Sequence, residues 1–331
     1  MGRLLEVKNL TTNFHIGVGC VQAVRSVSFY LDQGESLGVV GESGSGKSVT
    51  MLSVMGLLPG YAEIKADAIR FDGKDMLNIS PSEFRKIRGG DIGMIFQDPM
   101  TSLNPLYTVE NQLTEPLRIH RGMSKAEARL AALNLLKRVE IPDPEQRLKQ
   151  YPHEFSGGMR QRVMIAMAVA CQPKLVIADE PTTALDVTIQ AQVLDLLDQL
   201  KKTTSTSTIM ITHDLGVIAS MCKRILVMYG GLVVEQGTAR EIFYQPKHPY
   251  TWGLLHSIPR INQQKGEKLI PINGTPPDML RPPKGCPFAP RCRYAMPVCQ
   301  KYLAPETVLS GTHAVCCHLM HEKAPKVERQ V

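Results

Sequence analysis

Residues Gly41-Glu42-Ser43-Gly44-Ser45-Gly46-Lys47-Ser48 fill the spacing G-x-x-x-x-G-K-[S/T], and the chemistry of that spacing is phosphate binding. The glycines let consecutive backbone N–H groups curl around a β-phosphate, Lys47 reaches the β and γ oxygens, and the Ser48 hydroxyl can hold Mg2+. Gly41, Ser43, Gly44, Ser45, Gly46, Lys47, Ser48 and Val49 are the candidate ATP contacts. An apolar strand from Ser36 to Val40 leads into the run, and a helix from about Val49 to Leu58 leaves it, adding its dipole at the same spot. With Gly near ~7% of residues, a chain of this length meets the template by chance about once in a hundred cases.

Two further runs lie downstream. Phe155-Ser156-Gly157-Gly158-Met159-Arg160-Gln161-Arg162 precedes an apolar helix read as Met159 to Cys171, and Leu175-Val176-Ile177-Ala178 ends in Asp179-Glu180. In this order the motifs resemble those of the ABC ATPases. The first is similar to their LSGGQ signature, with Phe155 for Leu and Met159 for the usual Gln, and the second to their Walker B strand with its adjoining glutamate. The resemblance extends to Gln97 in Ile95-Phe96-Gln97-Asp98 as the Q-loop, to Ala184-Leu185-Asp186 as the D-loop, and to His213 as the switch histidine.

The resemblance implies a role for each. Phosphoryl transfer to water needs a positioned water and neutralised γ-phosphate oxygens more than it needs covalent help. Glu180 is the candidate for orienting or deprotonating the water. Asp179, with Ser48 and Gln97, is the candidate Mg2+ shell, and His213 would sense the γ-phosphate. Ser156, Gly157 and Gly158 would contact ATP in trans, across a head-to-tail dimer, which makes one chain half a catalytic unit. For adenine the family uses an aromatic residue upstream, and Phe14 stands in about that place; the plain alternative is that Phe14 packs in an N-terminal antiparallel sheet.

The elements that must position these residues read as α/β. Strand-like runs at Leu4 to Val7, Ser26 to Leu31, Ser36 to Val40, Ala68 to Phe71, Ile92 to Phe96, Leu175 to Ala178, Thr208 to Ile211 and Arg224 to Tyr229 alternate with helical stretches. Ser80-Pro81-Ser82-Glu83 and Ser124-Lys125-Ala126-Glu127 are capping boxes, the second opening a helix whose apolar face is read as Leu130, Leu133, Leu136 and Val139. The family resemblance implies a P-loop NTPase with a RecA-like core and an antiparallel β subdomain over 1–245, and an inserted α-helical subdomain at about 105–170. In ABC importers that subdomain receives a coupling helix of the permease, with the run from Asp98 to Pro105 as hinge and contact surface.

The chain has 331 residues, 43% of them hydrophobic and 21% charged, which is ordinary globular usage. No run approaches the ~20 apolar residues that cross a bilayer, and the N-terminus carries no signal-peptide pattern. A cytoplasmic protein is expected, peripheral on the inner face of the plasma membrane if it energises transport. Charge separates the halves: residues 1–245 hold 26 Lys and Arg against 26 Asp and Glu, whereas 246–331 hold 12 against 5. The tail also has 13 of the 23 prolines and five of the eight cysteines, a loop-rich composition in need of a staple.

Within the tail, Pro246-Lys247-His248-Pro249-Tyr250-Thr251-Trp252-Gly253, Asn273-Gly274-Thr275-Pro276-Pro277 and Gly285-Cys286-Pro287-Phe288-Ala289-Pro290-Arg291-Cys292 resemble the extension of dipeptide, oligopeptide and nickel permease ATPase subunits of the D type. His248 and Tyr250 are read as packing residues. Disulfides are not expected in a reducing compartment. The cysteine spacings lack the C-x-x-C knuckles of structural zinc, yet His313 and His318 keep zinc open as an alternative. Four thiolates with a Pro after the first suit a [4Fe-4S] cluster, with Arg291, Arg293 and Lys284 near in sequence to offset its charge. The resemblance favours the cluster and selects Cys286, Cys292, Cys299 and Cys317, leaving Cys316 aside. Cys20, Cys171 and Cys222 are read as apolar packing.

Two function classes follow. In the first, the chain hydrolyses ATP to energise peptide import, with nickel chelates or opine-like solutes as alternatives. The family resemblance then implies two membrane-spanning permease subunits, an extracytoplasmic solute-binding protein, and a second, F-type ABC ATPase as heterodimer partner. The second class is a soluble ABC ATPase of DNA repair or translation whose basic tail binds nucleic acid. One nucleotide domain, no coiled-coil insertion and few aromatics among the tail's basic residues argue against it, so no nucleic-acid partner is expected.

Overall fold

Ser36–Val40, a leucine among small and β-branched residues, forms a strand buried along its whole length. Leu175–Asp179 and Arg224–Tyr229 are likewise buried at every position. Continuous apolar runs of this kind suit parallel strands covered on both faces. The computed structural model describes residues 2–183, 186–204, 206–257 and 271–327. Tertiary contacts group them into two units, one made of Asp32–Glu35 and Met76–Ile211, the other of Arg3–Leu31, Ser36–Asp75 and Thr212–Val331.

The first unit carries three parallel strands. Ile92–Ile95 pairs with Leu175–Asp179 in the register Ile92↔Leu175, and Leu175–Asp179 pairs with Ser207–Thr212 in the register Leu175↔Ser207. Between the first two strands run the helices Val109–Arg121, Lys125–Arg138 and Gly157–Val169. Both sequence-read capping boxes form, at Ser80 and Ser124, each with the serine side chain accepting from the N3 backbone and the glutamate reaching back. The apolar face of Lys125–Arg138 differs from its reading. Ala128, Ala132, Leu135 and Leu136 are buried, whereas Leu130 is 61% exposed. Small alanines permit close approach to the neighbouring helices, and the larger Leu130 and Leu133 are left lining an open groove with Glu145 and Leu148.

In the second unit, Gly19–Asp32, Arg3–Ile16, Ala68–Phe71 and Lys74–Asp75 form an antiparallel sheet, with Ala62–Lys65 added to Arg3–Ile16. Ser36–Val40 pairs in parallel with Arg224–Tyr229. That strand turns through Gly230 and Gly231, at φ 54° and 76°, into the antiparallel strand Leu232–Thr238. Ala314–Val315 and Thr307–Val308 extend the same edge. The C-terminal segment is thus paired backbone to backbone with the strands of this unit.

Candidate functional site

The phosphate-binding run begins where Ser36–Val40 ends and passes into the helix Lys47–Val54, whose N-cap is Gly46 at φ 97°. A side chain at Gly46 would come within 2.5 Å of the Ala23 carbonyl, and one at Gly41 would run into the Met228 carbonyl. The backbone must pass closely there, so only glycine serves. The helix stops at Val54, short of the sequence reading, because Met55 caps it and Gly56 turns at φ 56°.

Lys47 is 5% exposed, and its Nζ donates to the Gly41 and Glu42 carbonyls at 2.7 and 3.0 Å. The ammonium therefore spans the mouth of the loop. Ser43 and Gly44 stand exposed at its crest. Among the described residues, Ser45 Oγ is buried without a hydrogen-bond partner. A donor-rich loop with an orphaned hydroxyl fits a polyphosphate, and the hydroxyl of Ser48 at the helix start fits its Mg2+. Phe14 lies on Arg3–Ile16 opposite Ala62, half-buried, its ring 6.0 Å from that of Tyr61. His213, exposed, follows the strand Ser207–Thr212, and Asp214 behind it caps Leu215–Met221 by accepting from Gly216 and Val217.

In the other unit, Asp179 closes the strand Leu175–Asp179 and is 5% exposed. Glu180 follows in the left-handed region at φ 46°, a conformation that is costly for a residue with a Cβ. Its backbone N–H donates to the Ile211 carbonyl at 2.9 Å, which anchors the strained turn to the adjacent strand. The carboxylate accepts from Gln97 Nε2 at 2.9 Å and from Thr183 Oγ1 at 2.8 Å. Thr183 had no place in the sequence reading, although its hydroxyl three residues after a carboxylate is the available signal. Ser156 is the N-cap of Gly157–Val169, accepting from Met159 N–H at 3.3 Å, so the helix starts two residues before the reading from sequence. Asp186 Oδ1 accepts from Ile189 N–H at 2.9 Å. Ala184 and Leu185 of the D-loop lie outside the described residues.

The structure corrects the metal reading. Among the described residues, no group of three or more His, Cys, Asp or Glu is placed to hold a metal ion. Cys286, Cys292, Cys299 and Cys317 do line one space, with Phe288, Ala289 and Leu319, but it measures about 20 Å3. That is room on the scale of a single water molecule, not of an iron–sulfur cubane. Burial pushes the Cys292 thiol up to about 11 and Cys317 up to about 12, and raises Cys286 as well. Apolar walls stabilise thiols over thiolates. Arg291, expected to offset a cluster's charge, instead pairs with Glu42, at 2.6 Å from Nη1 and 3.0 Å from Nη2. The histidines that kept zinc open are engaged elsewhere, His313 with Glu235 at 2.8 Å and His318 with the Tyr302 carbonyl at 3.1 Å.

A glycine-built phosphate loop on a buried parallel strand, and an acidic strand end held by a glutamine, define an ATP-binding cassette of mixed α/β fold. The family described as ABC transporter matches residues 24–183, and the oligopeptide/dipeptide transporter C-terminal region matches 234–299. The chain is 55% identical over 325 residues to the dipeptide transport ATP-binding protein DppD of Bacillus subtilis, covering 98% of this chain and 97% of that one. It is 53% identical over 313 residues to the oligopeptide transport ATP-binding protein OppD of Salmonella typhimurium, covering 95% and 93%. Among solved structures, a dimeric ATP-binding cassette in a post-hydrolysis state bound to ADP and Pi is 31% identical with a TM-score of 0.63, over 71% of this chain and 99% of that one. The chain belongs to the ABC transporter ATPases, in the family of dipeptide and oligopeptide transport ATP-binding proteins. It is an ATPase subunit, and among its described residues no helix is long and apolar enough to cross a membrane.

Proposed function

We propose that this chain hydrolyses ATP to energise import of di- and oligopeptides, working at the cytoplasmic face of the membrane on two permease subunits fed by a solute-binding protein. The observation that carries the reading is the double match, a cassette over 24–183 and an oligopeptide/dipeptide C-terminal region over 234–299, together with transport relatives that span nearly the whole chain. A second ATPase of the F type is the proposed partner, the signature residues Ser156, Gly157 and Gly158 of each chain serving the nucleotide of the other.

The roles of the side chains follow from their chemistry. The backbone N–H groups of the loop and Lys47 bind the triphosphate, and Phe14 stacks on adenine. Mg2+, held by Ser48, Gln97 and Asp179, would neutralise charge on the phosphate oxygens when bound. Glu180 orients the attacking water and accepts its proton; Gln97 and Thr183 hold the carboxylate in one orientation for that task. His213 responds to the γ-phosphate. Binding of ATP closes the dimer and hydrolysis reopens it.

Support for the permease contact comes from the first unit. Met100, Leu106, Tyr107 and Ile119 are 62%, 80%, 54% and 68% exposed. Tyr107 and Ile119 line a groove of about 840 Å3 together with Gln112, Glu115 and Met167. Exposed apolar side chains beside a groove suit a short helix of a partner.

The test is ATP hydrolysis by the chain reconstituted in lipid with its permease, partner ATPase and binding protein. Short peptides are expected to stimulate hydrolysis, and Glu180→Gln to abolish the stimulated rate. Leu106→Asp is expected to leave nucleotide binding intact and to uncouple hydrolysis from peptide. Stimulation by a nickel chelate alone would reassign the solute.

A further inference from the structure

Glu42, the second residue of the phosphate-binding loop, is held from three directions. Its carbonyl accepts from Lys47 within the loop. Its backbone N–H donates to Tyr250 Oη at 2.8 Å, and its carboxylate takes the fork of Arg291 at 2.6 and 3.0 Å. Both outer partners belong to the C-terminal segment.

The Arg291 side chain is 6% exposed, and all five of its N–H groups have acceptors. Beyond the two bonds to Glu42, Nη1 donates to Tyr229 Oη at 3.0 Å, Nη2 to the Ile272 carbonyl at 2.9 Å and Nε to the Asn273 carbonyl at 2.8 Å. Burial works against the guanidinium charge, but the Glu42 and Tyr229 bonds hold its pKa above the ordinary arginine value. The rings of Tyr229, Tyr250 and Phe288 brace the pair, with centroids 4.5 Å apart for the first two and 5.3 Å from each to Phe288. This is a built, saturated site for one carboxylate.

An unpaired carboxylate at this place would repel the phosphates of ATP, because it sits beside the N–H groups that receive them. We propose that Arg291 is a positioning residue for nucleotide binding: it neutralises Glu42 and, with Tyr250, fixes the phosphate-binding loop in its receptive form. It acts through Glu42 and does not touch the nucleotide. The C-terminal extension is then part of the ATP site's scaffold, and the proposal rests on residues 41–48 being that site.

The experiment is titration of the full chain with trinitrophenyl-ATP and Mg2+, at low and high salt. Arg291→Gln is expected to weaken binding about tenfold, less at high salt. Adding Glu42→Gln to Arg291→Gln removes the unpaired charge and is expected to restore affinity to within about threefold, because the two substitutions share one interaction. Arg291→Lys keeps the charge without the fork and should fall between. In the assembled importer, KM for ATP should rise in Arg291→Gln while kcat stays within about twofold. Wild-type affinity in folded Arg291→Gln, or a double variant as weak as the single one, overturns the proposal. Should Arg291→Gln lose its melting transition, folded Arg291→Lys with wild-type affinity overturns it equally. Lys47→Ala separates the underlying reading: if it binds as wild type, residues 41–48 are not the nucleotide site at all.

Discussion

Gln97 donates its side-chain amide to the carboxylate of Glu180 at 2.9 Å, joining a residue just past the end of Ile92–Ile95 to one just past the end of the adjacent parallel strand. The bond restrains a glutamate whose backbone is already strained at φ 46°. Strain at a single acidic residue, fixed by a neighbouring strand and two side chains, is the form taken by groups that must point one way.

Replacing Gln97 by Glu sets a second carboxyl against Glu180. The amide donor that holds the Glu180 carboxylate is then lost and a like charge faces it, so kcat should fall by about tenfold or more. Glu180→Gln should lower kcat by about 10²- to 10⁴-fold with ATP affinity kept. Steady-state hydrolysis by the assembled complex at saturating MgATP, from pH 5.5 to 9, measures both.

Gly46→Ala places a Cβ within 2.5 Å of the Ala23 carbonyl at a backbone φ of 97°. The expected cost is about 2 kcal/mol of stability, with loss of nucleotide binding as the loop shifts. Urea unfolding and trinitrophenyl-ATP titration on the same preparation test the two halves of this expectation.

His248 is buried, and burial depresses its pKa from 6.5 to about 4, the Glu235 carboxylate opposing the shift. Its ring Nδ1 accepts from Tyr250 N–H at 3.0 Å, which requires that nitrogen to be unprotonated. As pH falls, the unfolded chain takes up the proton first. The contribution to stability is therefore complete above about pH 6.5, declines by roughly 1.4 kcal/mol per pH unit below it, and is gone near pH 4. His248→Asn, which keeps a capping acceptor but does not titrate, should show a shallower loss of stability between pH 7 and 5 in urea unfolding.

The tail thiols should resist alkylation. With Cys292 and Cys316 pushed up to about 11 and Cys317 up to about 12 by burial, little thiolate is present near neutrality. At pH 8 the thiolate fraction is on the order of one in a thousand or lower. Iodoacetamide labelling followed by peptide mass spectrometry should be about a hundredfold slower in the folded chain than in urea. Fast labelling of the folded chain would contradict the enclosed apolar setting described above.

Much of the local structure was legible where one segment carries its own instructions. Ser80 and Ser124 announce their helices because cap and N3 glutamate lie within one turn. Ser36–Val40, Ala68–Phe71 and Arg224–Tyr229 match the strands read from sequence residue for residue. The strand Leu232–Thr238 was missed although Gly230-Gly231, between two apolar runs, is a two-residue hairpin signal. The outward turn of Leu130 was not legible, since the neighbours that choose a helix face are supplied by other elements.

The sequence by itself determined the phosphate-binding loop, the acidic end of Leu175–Asp179 and the cassette order of the motifs, because a nest of backbone donors and a buried strand depend on residue types a few positions apart. Only the tertiary structure decided what the C-terminal segment does to them. Arg291 and Tyr250 meet Glu42 across 249 and 208 residues of chain, and no local spacing encodes such a contact. The cysteines make the same point. Their spacing suggested ligands, but a thiol's character depends on what surrounds it, and an apolar enclosure of about 20 Å3 is a property of packing alone.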